Sequence, residues 1–132
     1  MDLAFRRRMP TVTRLIAARP EAVWRVMVDL DAWPQWGPSV QRADLTEPGV
    51  LKLGSRGKVW TPFGVSLPFT ITEFHEDRCW AWQVAGVPAT KHGVEPADGG
   101  CLAWMSAPLW APAYLPVLAI ALQRIDRMTS GG

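Results

Sequence analysis

The sequence predicts an α+β domain: a curved antiparallel sheet of about six to seven strands around one long C-terminal helix, with two short helices after the first strand. Three observations lead there. Between residues 40 and 107, short runs with apolar alternation are separated by turns rich in Gly, Pro and Asp. Near the N-terminus, a strand-like run passes into a helix opened by proline. The last part of the chain carries apolar residues at helical spacing and ends in a basic, polar stretch.

Taken in order, Thr11 to Ala17 has strand composition, and Pro20 and Glu21 then open a helix, the proline in the first turn and the carboxylate at the positive end of the dipole. Ala22, Val23, Val26, Met27 and Leu30 give its apolar face, with Trp24 flanking. Trp33-Pro34-Gln35-Trp36 forms a second short helical turn, whose indoles are expected to plug one end of the domain. Strands follow at Val40 to Leu45, at Arg56 to Thr61, and after Pro62-Phe63-Gly64, where Val65, Leu67, Phe69 and Ile71 share one face. Pro68 predicts an edge position or a bulge there, because it cannot donate to a ladder. Cys79 to Val84, Thr90 to Glu95 and Cys101 to Ala107 complete a meander, with Trp80 and Trp82 on one face.

From Cys101 to Leu122 the chain runs for 22 residues without a charge. That length would span a bilayer. Pro108, Pro112 and Pro116 oppose a continuous helix, since each interior proline removes a hydrogen bond and introduces a clash. The stretch divides instead into a strand and a helix starting near Ala111 and running to about Met128, on which Leu115, Leu118, Leu122 and Ile125 face the sheet. Stable membrane insertion is therefore not expected.

The length suits one domain with a real core. Residues 1–9 read as a flexible basic arm, 10–129 as the domain and 130–132 as a tail. The net charge of +2 conceals an N-terminal excess, with five arginines among the first 19 residues. Arg6, Arg7 and Arg8 read as a solvated arm rather than a lipid or nucleic-acid site, and no basic patch interleaved with aromatics follows. Without the apolar core of a signal peptide, the chain reads as cytoplasmic. Cys79 and Cys101 then read as buried thiols, with a disulfide not expected in a reducing compartment. Eight tryptophans, each with an N–H that wants a partner, point to a roomy interior, a ligand groove or an interface.

Five motifs in order carry a resemblance: AARPEAVW (Ala17 to Trp24), DLDAWPQWGPSV (Asp29 to Val40), LKLGSRG (Leu51 to Gly57), EFHEDRCWAW (Glu73 to Trp82) and HGVEPADGG (His92 to Gly100). Together they resemble the polyketide cyclase/dehydratase-like branch of the START/Bet v 1-like (SRPBCC) superfamily, over nearly the whole chain. The resemblance implies a helix-grip fold, a bent sheet wrapped around the C-terminal helix with an elongated apolar cavity between. It also implies a lipid, steroid, polyketide or other hydrophobic ligand, and in some members cyclisation or dehydration. The short chain implies a reduced or partly open cavity.

Trp60, Phe69, Trp80, Trp82 and Trp104 are the candidate cavity walls, with Tyr114, Leu115, Leu118 and Leu122 supplied by the helix region; ordinary core packing is the competing reading. Bulky rings would narrow the space and favour a planar or small ligand over an acyl chain. His92 shares strand parity with Thr90 and Val94 and so points inward, where an imidazole could move a proton. Arg56 or Glu73 could contact a ligand oxygen, and these three residues form the catalytic candidates; for Arg56 a surface ion pair is the competing reading. His75, beside an acidic turn, reads as solvated. The sequence shows no nucleophile elbow, no phosphate loop and no His/Cys metal spacing, so neither a cofactor nor a metal is expected. Binding of a small hydrophobic molecule ranks first, a cyclase/dehydratase-type enzyme second, and third an interaction domain using Leu109, Trp110 and Leu115, which leaves a homodimer open.

Overall fold

A computed structural model describes residues 2–6 and 9–130. Its strands are β1 (Asp2–Arg6), β2 (Met9–Ile16), β3 (Arg42–Leu45), β4 (Arg56–Trp60), β5 (Ser66–His75), β6 (Cys79–Val84), β7 (Val87–Ala97) and β8 (Gly100–Ser106). Its helices are α1 (Pro20–Val28), α2 (Trp33–Trp36) and α3 (Leu115–Thr129), with a 3-10 turn at Pro112–Tyr114 before the last. Among the described residues all eight strands form one antiparallel sheet in the order β1-β2-β8-β7-β6-β5-β4-β3. The architecture is a helix-grip fold, with α3 lying against the inner face of a seven-strand core to which β1 is added.

That edge strand is the first departure from the sequence reading. Asp2–Arg6 pairs with Thr13–Met9 instead of forming an arm, while Arg7, Arg8 and the terminal Gly131 and Gly132 lie outside the described residues. Pro68 is the second. It sits inside β5, between β4 and β6, and the register irregularity of β5 lies further on, between Ile71 and Glu73. Its carbonyl accepts from Ala85 N, just past the end of β6. A residue in an antiparallel ladder directs its N–H and C=O to the same neighbour, so the missing donor falls where that ladder has already ended.

α1 begins with Pro20 in its first turn, as expected, and buries Val23, Trp24 and Met27. Trp24 is thus part of the core and not a flanking residue. α2 is held to α1 by its own indoles. Trp33 Nε1–H donates to Met27 O at 2.9 Å and Trp36 Nε1–H to Val26 O at 3.1 Å. These carbonyls belong to the last turn of α1, where no backbone N–H remains to satisfy them. The tryptophans therefore stop one helix, start the next and fill the space beneath both.

The proline-rich approach to α3 resolves the uncharged stretch. Pro112 opens the 3-10 turn and Pro116 lies in the first turn of α3, positions where a missing N–H is harmless. Leu118, Ala121, Leu122 and Ile125 are buried against the sheet, and Leu115 packs at the core's margin. Arg14 Nε donates to Asp126 Oδ2 at 2.7 Å and ties β2 to this helix. No helix of the described residues is long and apolar enough to cross a membrane.

Candidate functional site

The inner face of the sheet is built around rings. Trp80 is stacked between Trp33, at 5.1 Å and 12°, and His92, at 4.0 Å and 29°. Phe69 and Trp82 close against this stack edge-on, and Trp36 approaches His92. Trp33, Trp80 and His92 are almost wholly buried. The space beneath α3 is accordingly filled, leaving an inner void of about 40 Å³ bordered by Trp33, Trp80, Trp82, His92, Tyr114 and Leu118.

Beyond it, at the start of α3, an apolar pocket of about 280 Å³ opens between the sheet and the Pro108–Tyr114 segment. Val59, Leu67, Trp82 and Val84 form its sheet wall, and Pro108, Trp110 and Tyr114 the opposite one. Thr90 borders both pocket and void. The Tyr114 hydroxyl shares a hydrogen bond with Ser39 Oγ, which positions the ring at the mouth. Larger depressions beside the Pro48–Arg56 loop have charged walls, including Asp29, Asp31, Asp44 and Glu76. An apolar ligand is held by apolar walls and a few placed polar groups, which the smaller pocket offers and the larger depressions do not.

The polar groups at the inner end form a relay. Trp82 Nε1–H donates to Thr90 Oγ1 at 3.0 Å, and Thr90 Oγ1 lies 2.9 Å from His92 Nε2. An indole can only donate. The threonine oxygen therefore accepts there and shares a second hydrogen bond with Nε2. Neither His92 Nδ1 nor Trp80 Nε1 has a well-formed partner among the described residues. Burial pushes His92 down to about 3, with the Trp80 backbone across the ladder opposing weakly. The ring is neutral and serves as a hydrogen-bonding group at physiological pH.

Other candidates take different places. Phe69, Trp80, Trp82 and Leu118 face the interior, and Leu122 is buried deeper in the core. Trp60 and Trp104 do not line the cavity. Trp60 alternates with the inward Val59 and lies under the Arg42 guanidinium, 4.8 Å from its ring centre, while Trp104 covers Gly93 on the outer face. Arg56 is exposed at the start of β4. Glu73 is also outside. Counting by two from Ile71 would put it inward, but the register irregularity between Ile71 and Glu73 inserts a residue, so Phe74 takes the inner position. Arg56 and Glu73 are thus separated from His92 by the sheet. Leu109 and Trp110 are exposed, and Trp110 Nε1–H donates to Pro88 O at 3.0 Å. Sequence reasoning missed Thr90, Ser39 and Val59. The alternation of Thr90 with His92 was the available signal for the first, and nothing local marks the other two.

Fold and pocket together define a helix-grip protein of the SRPBCC superfamily. Residues 10–127 match the family described as polyketide cyclase / dehydrase and lipid transport, and the chain belongs to that family. It is similar to uncharacterized proteins of Mycobacterium tuberculosis and Mycobacterium bovis, each 29% identical over 128 residues, covering 85% of this chain and 76% of the relative. Among solved structures, a Mesorhizobium loti protein superposes with a TM-score of 0.71 at 13% identity, covering 89% of this chain and 93% of its own. A Mycobacterium smegmatis protein gives 0.64 at 18% identity, covering 97% and 96%. The Aha1 dimer of Colwellia psychrerythraea gives 0.67 at 15% identity, covering 91% and 94%. At these identities the structural likenesses define the fold alone.

Proposed function

We propose that the protein binds a small, planar hydrophobic molecule, aromatic or polyketide-like, in the pocket between the sheet and the start of α3. One observation carries this reading: an apolar pocket of about 280 Å³ ends on Thr90, behind which lie His92 and Trp80, each with a buried ring nitrogen that has no well-formed partner among the described residues. The volume lies near the lower end of ligand sites, about 300–1,000 Å³. An acyl chain would have to continue into space already occupied by Trp33, Trp80 and Trp82, so a one- or two-ring compound with an acceptor oxygen at its leading end fits better. Binding is favoured over acid–base catalysis because the His92 ring is held neutral and Arg56 and Glu73 lie across the sheet.

The test is a tryptophan-fluorescence titration with naphthol, with palmitate in parallel. Saturable naphthol binding is expected, tighter than palmitate. Val84→Trp should fill the pocket and abolish binding while circular dichroism remains native. Equal naphthol affinity in that variant, or preferential binding of palmitate, would overturn the proposal.

A further inference from the structure

On the outer face of the sheet, remote from the ligand pocket, three side chains of metal-ligating type meet. Glu73 and His75 stand two apart on β5, and Cys79, opposite His75 in the ladder, joins them from β6. The intervening turn is tight, with Arg78 N–H donating to His75 O at 2.9 Å and Asp77 at φ 62°. Asp tolerates that left-handed conformation better than most residues, so the hairpin closes with the three side chains on one side. Glu73 Oε2 lies 3.1 Å from His75 Nε2 and 4.0 Å from Cys79 Sγ, and the three ligand atoms all fall within 4.8 Å of one another.

A tetrahedral zinc ion with bonds of about 2.0–2.3 Å places its ligand atoms roughly 3.3–3.8 Å apart. The observed separations, from 3.1 Å to at most 4.8 Å, bracket that edge, and rotamer adjustments of up to about 1 Å would close it. The surroundings are those of a built site. Lys91, with only 8% of its side chain exposed, donates to both Glu73 oxygens at 3.0 and 2.9 Å and fixes the carboxylate. Cys79 is buried, His75 is open to solvent, and a depression of about 370 Å³ over His75, Cys79 and Lys91 gives an ion a route in.

We propose that Glu73, His75 and Cys79 form a site for a divalent transition-metal ion of the zinc type, with the fourth position open to water. One nitrogen, one sulfur and one carboxylate oxygen match that borderline-soft ion better than calcium or magnesium, which take oxygen ligands. The ion binds the Cys79 thiolate, and the thiol proton leaves to solvent. The Lys91 charge beside Glu73 opposes a second cation and weakens the affinity. The sequence alone gave no metal expectation, because the ligands come from two strands whose parity is set by an irregularity.

Titrating the metal-free protein with Co²⁺ tests the assignment. One ion per chain is expected, with a thiolate-to-cobalt charge-transfer band in the near ultraviolet and visible bands of tetrahedral intensity, both erased by Zn²⁺. Cys79→Ser should remove the charge-transfer band. His75→Ala, at an exposed position that leaves folding intact, should weaken binding at least about tenfold. Cys101→Ser, on the inner face, should change neither. No charge-transfer band in the unaltered protein, or one that persists at full affinity in the His75 variant, would refute the site.

Discussion

His92 shows how one residue's surroundings decide what its chemistry can be. Its unfolded value near 6.5 falls to about 3 in the fold because the charged ring cannot be hydrated among indoles. Between those values the unfolded chain binds a proton that the folded chain does not, so stability is complete above pH 6.5 and declines as pH falls. Urea titrations should show a loss of about 2 kcal/mol between pH 6.5 and 5. His92→Gln should flatten that dependence; an unchanged slope would place the acid sensitivity elsewhere. Asp126 titrates lower and leaves this window clear: burial would raise its carboxyl, but the Arg14 and Ser130 hydrogen bonds outweigh that and hold it below its usual range. Gly93 is constrained by shape instead. A methyl group there would lie 2.2 Å from the Trp104 ring. Gly93→Ala should therefore cost about 1–3 kcal/mol through overpacking, measurable by thermal melting, whereas Gly64→Ala meets no neighbouring atom and answers only to its backbone angle.

Among the elements, the joint between α1 and α2 is the one most clearly written in side chains. Both tryptophans of α2 satisfy carbonyls of the last turn of α1. Trp36→Phe removes the donor and the five-membered half of the indole, and should destabilise by about 1–3 kcal/mol, the lost bond plus part of the ring's packing. Trp36→Ala should cost about 3–5 kcal/mol, as loss of a buried indole does. If chemical denaturation gave equal losses for the two variants, the hydrogen bond and not packing would hold the joint. Much of this was legible in advance. Pro20 and Glu21 announce α1, the Trp-Pro-x-Trp spacing announces α2, and Pro112 and Pro116 divide the uncharged stretch where the chain itself divides it. The faces of β4, β5 and β8 were less legible, because alternation identifies two faces without saying which is inner. On β8 the larger ring, Trp104, is outside while the smaller Cys101, Ala103 and Met105 pack inward against α3.

For the whole molecule, three charge-free stretches converge on the pocket end. Val59 to Thr72, Cys79 to Thr90 and Cys101 to Leu122 supply both its walls, with Ser39 and Val40 completing the rim. A ligand held there must stabilise the native state alone, so the melting temperature should rise with naphthol concentration, by the equivalent of about 2.7 kcal/mol at a hundredfold excess over Kd. No rise in the unaltered protein would argue against the pocket as a binding site. The sequence by itself determined the order of elements from β2 onward, the prolines that start and stop helices, and the family, because local alternation, caps and turn residues act over a few neighbouring positions. The tertiary structure decided which tryptophans became walls and which became outer cover, how little space remained beneath α3, and that Glu73 joined His75 and Cys79 instead of His92. Sheet curvature, ladder register and one inserted residue in β5 control those outcomes, and each depends on strands brought together from distant parts of the chain.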